Sequence, residues 1–425
     1  MKRFVLIALL MIGFVSIRQS QITQAKQDLS NSDVYLIEWS PDGSRVATSS
    51  FDGIRVYDTN FQLMGFFPNP LHYGYDPDYQ AFGAFWSPDG TRLTAGAMIL
   101  DAKTLQPVTT TKAYHSLAQW SPDGKYVSTL AIDYNSIERY DAQTGNLDRN
   151  ISFDGQHLIG LPILSSDGSR FVLNELDAIG VTDATGKHLA RYKYPYRVNA
   201  LRLSPDGTRI AYQSTEDVPV STPGSFPNPG NTGKGTLVHA FIIDTATGKT
   251  LMQSEPLNNF LAGFQWSPDG TQLSGMLGTD TMVTWDTATG QVIDSYSLPT
   301  GKMISAWSYS PYGARLTLGV RDLQDSGAIA NLTSMPLSNF SQTFLDGKIQ
   351  VIVPAPSAEK LESITQACSV QPSVEQLLKA QIDTNSLQAF TTEVSALTDQ
   401  QIPPGCKADL LAVANALMAK AQQPQ

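Results

Sequence analysis

Cysteine, charge and long apolar runs are all scarce in this chain. Charged residues make up 16% of its 425 positions and sum to −10, with an isoelectric point near 5. A basic footprint for phosphate is missing, which argues against a nucleic-acid partner. The acidic excess favours solubility instead. Low charge together with 32 Gly and 25 Pro argues against a disordered chain and suits a turn-rich, all-β one. The apolar run Phe4–Ile17 follows Lys2-Arg3, is closed by Arg18 and holds 14 residues. As a helix it would span about 21 Å, against a hydrocarbon core of about 30 Å. Residues 1–25 therefore read as a secretory signal peptide, with Thr23-Gln24-Ala25 as the cleavage site, or as an uncleaved N-terminal anchor. No Cys follows the run, which disfavours lipid attachment. The expected location is secreted or extracytoplasmic at the cell surface, with membrane contact only if the segment is uncleaved.

The two cysteines are Cys368 and Cys406. Export permits a disulfide between them. It would close a loop of 38 residues, worth about 4 kcal/mol in the chain-entropy model. The alternative is a pair of unpaired buried thiols.

Signatures of catalysis are missing too. No GxSxG elbow occurs, and neither GxxxxGK[ST] nor GxGxxG is present to cradle phosphate. The five histidines are His72, His115, His157, His188 and His239, none at metal-ligand spacing from another. Asp76-Pro77-Asp78 lacks the spacing of a calcium loop. No catalytic residue, metal or cofactor is assigned. An acid pair brought together by distant segments leaves no mark in a sequence, so glycoside chemistry stays open.

What the chain has in quantity is one turn. WSPDG stands at 39–43, 86–90, 120–124 and 266–270. Weaker copies are Leu164-Ser165-Ser166-Asp167-Gly168, Leu203-Ser204-Pro205-Asp206-Gly207 and Tyr309-Ser310-Pro311-Tyr312-Gly313. Pro pre-sets φ at the second turn position, Asp suits the third and Gly closes a hairpin. Each of the first six copies is followed in phase by a strand ending in Asp and a small polar turn. Examples are Tyr140-Asp141-Ala142-Gln143-Thr144-Gly145 and Trp285-Asp286-Thr287-Ala288-Thr289-Gly290. Four short strands in roughly 40–45 residues is the period of a propeller blade. On these two motifs residues 33–353 resemble the bacterial WD-repeat β-propellers, and the WSPDG turn is similar to that of TolB-like propellers. The resemblance implies a seven-bladed β-propeller. The seventh copy lacks its Asp turn, so the ring closes either with residues 341–353 as the last strand or with the mature N-terminus.

Past Val353-Pro354-Ala355-Pro356 the texture turns helical, and residues 357–422 read as a small all-α C-terminal domain. One helix is expected near 358–368. A second follows the Ser373-x-x-Gln376 capping box, with Leu377, Leu378 and Ile382 on one face. Another runs from Ser386 to Leu397. Ile402-Pro403-Pro404-Gly405 breaks it, and a last one runs from Asp409 to Ala419. This domain reads equally as a docking module or as a bundle packed on the propeller.

Long irregular loops in compact domains are often functional. Residues 66–82 carry Phe67, His72, Tyr73, Tyr75, Asp76, Asp78 and Tyr79, and residues 191–197 carry Tyr192, Tyr194 and Tyr196. Aromatics interleaved with carboxylates suit a protein hot spot or a sugar-stacking surface. Both segments fall on the face that the resemblance assigns to blade-joining loops. A third segment, 215–235, shares that face but is polar and Pro/Gly-rich, which reads as mobility. The function expected is a non-enzymatic binding or scaffold protein with a protein partner first and a glycan second. The rivals are a propeller enzyme acting on a polysaccharide at the channel mouth and a purely structural envelope protein.

Overall fold

The computed structural model describes residues 34–68, 83–322 and 348–421, with short gaps inside each span. Seven antiparallel sheets follow one another along the chain, here numbered 1 to 7. Sheet 1 takes Val34–Trp39, Arg45–Ser50, Gly53–Asp58 and Leu63–Pro68 in order. Sheets 3, 4 and 6 repeat that plan, and sheet 5 adds the two-residue strand Phe226–Pro227. In sheet 2 the first position is held by a single Trp86–Leu93 bridge. Sheet 7 has three strands, Lys302–Tyr309, Leu316–Asp322 and Lys348–Ile352.

The expectation of a seven-bladed propeller is therefore corrected to six blades. Six sheets fill all four strand positions, and the seventh repeat stops at three among the described residues. Lys348–Ile352 does pair there, as the third strand rather than the fourth. The physical reason lies in the sequence: no Asp turn follows Ile352, and Pro354 leads into helix.

No single core holds the sheets. Apolar residues of successive strands collect between neighbours, so each junction has its own cluster. Sheets 1 and 2 share Ala47, Ile54, Leu93 and Leu100. Sheets 5 and 6 share Ala240, Ile242, Phe264 and Trp285. Sheets 7 and 1 share Ala306, Val34, Ile37 and Trp39, and this closes the ring.

The C-terminal residues form α1 (Ala358–Ala367), α2 (Pro372–Asp383), α3 (Leu387–Ala396) and α4 (Pro404–Ala421). Ser357 caps α1 by accepting from the Lys360 amide. The last helix begins five residues before the expected Asp409. Pro403-Pro404 reads as a breaker, but proline is favoured in the first helical turn, where its missing N–H costs nothing. The Cys368–Cys406 disulfide is formed, joining the end of α1 to the first turn of α4. The helical core of Leu361, Ile364, Leu378, Phe390, Val394, Leu410 and Val413 also takes in Ala314 and Tyr312 of sheet 7. No described helix is long and apolar enough to cross a membrane.

Candidate functional site

The repeated motifs belong to the frame. In each complete SPDG-type turn the Ser hydroxyl donates to the turn Asp, at 2.6 Å for Ser40–Asp42 and 2.7 Å for Ser121–Asp123. The amide two residues after the Asp donates to the same carboxylate, as Ser44 does to Asp42 at 3.0 Å. Such donors favour the ionised form. Asp167 is drawn down to about 2, first by the Ser165 hydroxyl and then by Ser169. The turn glycines sit at positive φ, 67° at Gly43 and 75° at Gly313, which side chains resist.

An arginine after the turn clasps the next sheet. Arg45 lies over the Trp86 ring at 4.6 Å and donates to the carbonyls of Gly90 and Ala102. Arg92 repeats this on Trp120, Gly124 and Ala142, and Arg209 on Trp266 and the Gly270 carbonyl, with the Thr287 hydroxyl as its second acceptor. The indole N–H returns the contact: Trp86 donates to the Glu38 carbonyl and Trp120 to that of Phe85.

The candidate aromatics separate into two groups. Phe67, on Leu63–Pro68, packs partly buried against the cluster between sheets 1 and 2. Tyr192 donates its hydroxyl to the Thr245 carbonyl at 2.9 Å and lies against Gly248, so it ties sheet 4 to sheet 5. Tyr194 tilts onto Tyr212 at 4.9 Å, and Tyr212 stacks on Phe241 at 5.1 Å. Burial pushes the Tyr194 phenol up to about 12. Tyr192 and Tyr194 thus fill a junction. His72, Tyr73, Tyr75, Asp76, Asp78, Tyr79 and Tyr196 lie outside the described residues, as do His115 and His157.

Beside the tyrosines the same segment builds a charge cluster that sequence reasoning missed. The buried Glu175 carboxylate accepts from His188 Nε2 at 2.7 Å and from Arg191 Nε at 2.5 Å. Arg191 also reaches Asp177. His188 and Arg191 lie on one outer strand, but Glu175 precedes them by more than a dozen residues, so only the hairpin pairing brings them together.

The residue before each turn's Trp, or its equivalent, forms a second unforeseen set. Gln119 donates to the Pro162 carbonyl and accepts from the Leu164 amide, joining sheets 3 and 4. Gln265 does the same between sheets 6 and 7. Glu38 and Arg202 hold this position in sheets 1 and 5. Burial lifts the Glu38 carboxyl to about 7 and lowers Arg202. Among the described residues no three His, Cys, Asp or Glu gather as metal ligands.

The loop face is shaped by the segment read as mobile. Arg209–Pro219 and Lys234–Asp244 pair over eleven positions, whereas the equivalent strands of sheet 6 pair over six. Five extra pairs extend the hairpin by about 17 Å at 3.3–3.4 Å per residue. The segment expected as loop at 215–235 is therefore partly strand, with Phe226–Pro227 as a third short member. Thr215, Val218, Thr236 and Val238 supply β-branched residues that favour strand, obscured by the Pro/Gly stretch between the two arms.

Residues 24–54 match the family model described as WD domain, G-beta repeat. The chain is similar to a solved structure of Kuenenia stuttgartiensis hydrazine synthase, at 18% identity and a TM-score of 0.55, over 77% of this chain and 97% of that one. It is also similar to the β-propeller domain of Myceliophteria thermophila Cps50 (Swd1), at 12% identity and a TM-score of 0.52, over 68% of this chain and 96% of that one. The fold is a β-propeller. Since 1632 solved chains match this propeller, the likeness speaks to architecture and to no particular activity. No curated protein matches it.

Proposed function

We propose that this propeller is an extracytoplasmic binding or scaffold protein that presents its loop face to a protein partner. The observation that carries the reading is the division of the two faces. The helical domain packs on the turn face, against Tyr312 and Ala314. The extended hairpin leaves sheet 5 on the opposite face. A rigid frame with one face occupied and a projecting arm on the other suits recognition. The short apolar N-terminal run and the disulfide support export.

The rival channel enzyme needs two carboxyl groups a few ångströms apart. Glu38 supplies one carboxyl lifted toward neutrality, but its repeat counterpart in sheet 5 is Arg202.

The test is affinity capture from the native cell envelope and culture fluid with three folded forms. One is the parent, one carries Tyr73→Ala, Tyr75→Ala and Tyr79→Ala, and one has residues 217–235 replaced by Asn-Gly. A protein held by the parent and lost by either variant is the expected result. Retention of the same proteins by all three would remove the loop face as the site. Polysaccharide cleavage abolished by Glu38→Gln would favour the enzyme instead.

A further inference from the structure

The seventh repeat has Tyr312 where the other six turns carry aspartate. Its Ser310 hydroxyl nevertheless donates to a carboxylate, that of Asp409 on α4, at 2.6 Å. The Ala314 amide, two residues after Tyr312, donates to the same oxygen at 3.4 Å. These are the two donors that serve Asp42 in the first turn, the Ser40 hydroxyl and the Ser44 amide. Asp409 therefore stands in the turn aspartate's place, delivered from a helix almost a hundred residues away.

The same carboxylate orders the clasp that closes the ring. Arg315 Nε donates to Asp409 Oδ1 at 2.5 Å, with both side chains buried. The Arg315 guanidinium lies over Trp39 of sheet 1 at 4.3 Å and reaches the Thr59 carbonyl, as Arg45 reaches Trp86 and Ala102. Pro311 packs on Gly43 as Pro41 packs on Gly90. The junction of sheets 7 and 1 thus copies the others, but with two differences. The propeller strands do not continue across it, because the chain leaves sheet 7 for α1. Sheet 7 also lacks a fourth described strand.

The helical domain spans this seam. Gly405, in the first turn of α4, lies so close to Asp42 and Gly43 that a methyl group there would collide with their backbone. Lys360 of α1 donates to Gln272 of sheet 6 at 3.3 Å. The turns of sheets 6, 7 and 1 are held by one small domain. The geometry points to the helical domain as a clasp that closes the propeller, with Asp409 supplying in trans the carboxylate that the seventh turn lost.

Hydrogen exchange on the oxidised full-length chain tests this. Asp409→Ala is expected to speed exchange at the Ala314 amide and across Val34–Trp39 at least tenfold, and to leave the Ser121–Tyr126 turn as in the parent. Adding Tyr312→Asp returns a carboxylate to the turn in cis and is expected to slow the Ala314 amide again. Asp123→Ala is expected to loosen its own turn alone. Should Asp409→Ala not fold, Asp409→Asn, which keeps one acceptor, is read in the same way with a smaller change. Unchanged exchange at the seam, an equal rise in all sheets, or no recovery with Tyr312→Asp would each overturn the clasp.

Discussion

Glu38 stands one residue before Trp39, and Arg92 follows a turn of the same repeat type. One is an exception to the repeat and the other its rule. Arg92 makes two hydrogen bonds to carbonyls and covers an indole at 5.0 Å. Arg92→Ala is expected to cost about 2 kcal/mol in urea denaturation. Arg92→Lys should recover less than half, because an ammonium cannot reproduce the planar fork. Full recovery by lysine would show that charge alone matters. Glu38 acts in the opposite sense, since burial raises its carboxyl from 4.5 to about 7. Below pH 4.5 it is protonated in both states and contributes nothing. Between there and about pH 7 the unfolded chain releases its proton first, so folding loses stability as pH rises. The deficit is then constant, on the order of 3 kcal/mol. Glu38→Gln should match the parent at pH 4 and exceed it at pH 8. An equal difference at both pH values would contradict this account. Neither residue is conspicuous alone. The arginine is legible only against its copies, and the glutamate only because it departs from Gln119 and Gln265.

Turns were the most legible elements, because Ser, Asp and Gly each have a local task that spacing alone exposes. Strand number and helix starts were less so. Among the described residues sheet 7 stops at three strands because no Asp turn follows Ile352 and Pro354 leads into helix, a sign that was visible but did not say which strand Lys348–Ile352 would become. The α4 start was hidden by Pro403-Pro404, whose role depends on whether the chain enters or leaves a helix there. The hairpin of sheet 5 was hidden by its Pro/Gly stretch. The cysteines were legible as a pair, as was the helix ending at Cys368, though not that the last helix would start early enough to hold Cys406. Cys368 and Cys406 are both buried and tie the ends of α1 and α4. Replacing both by Ser should lower the stability of the helical core by up to about 4 kcal/mol for its 38-residue loop. Exchange protection at Phe390 and Leu410 is the readout. A loss confined to the propeller would place the bridge's effect elsewhere.

At the scale of the molecule, cooperativity is what the sequence hid most completely. Repeat arrays gain stability from neighbouring units, and a closed ring has no free end from which to fray. Here closure runs through a domain of another class, since Ala314 and Tyr312 belong to the helical core and Asp409 to the seventh turn. The tail's texture announced a separate domain, and nothing in a one-dimensional pattern shows a helix residue completing a turn of the propeller. If ring and tail share these residues, they should unfold together. Calorimetry of the oxidised protein is expected to show one transition, because exposing Tyr312 and Ala314 removes part of both cores at once. Truncation after Val353 would then lower the melting temperature of the propeller itself, by about one to two degrees for each kcal/mol of lost contact in a unit of this size. Two separated transitions in the full chain, or a truncated propeller that melts where the full chain does, would show that ring and tail are independent. The loop-face reading would survive that outcome, because the hairpin of sheet 5 stands on the other side of the ring from α4.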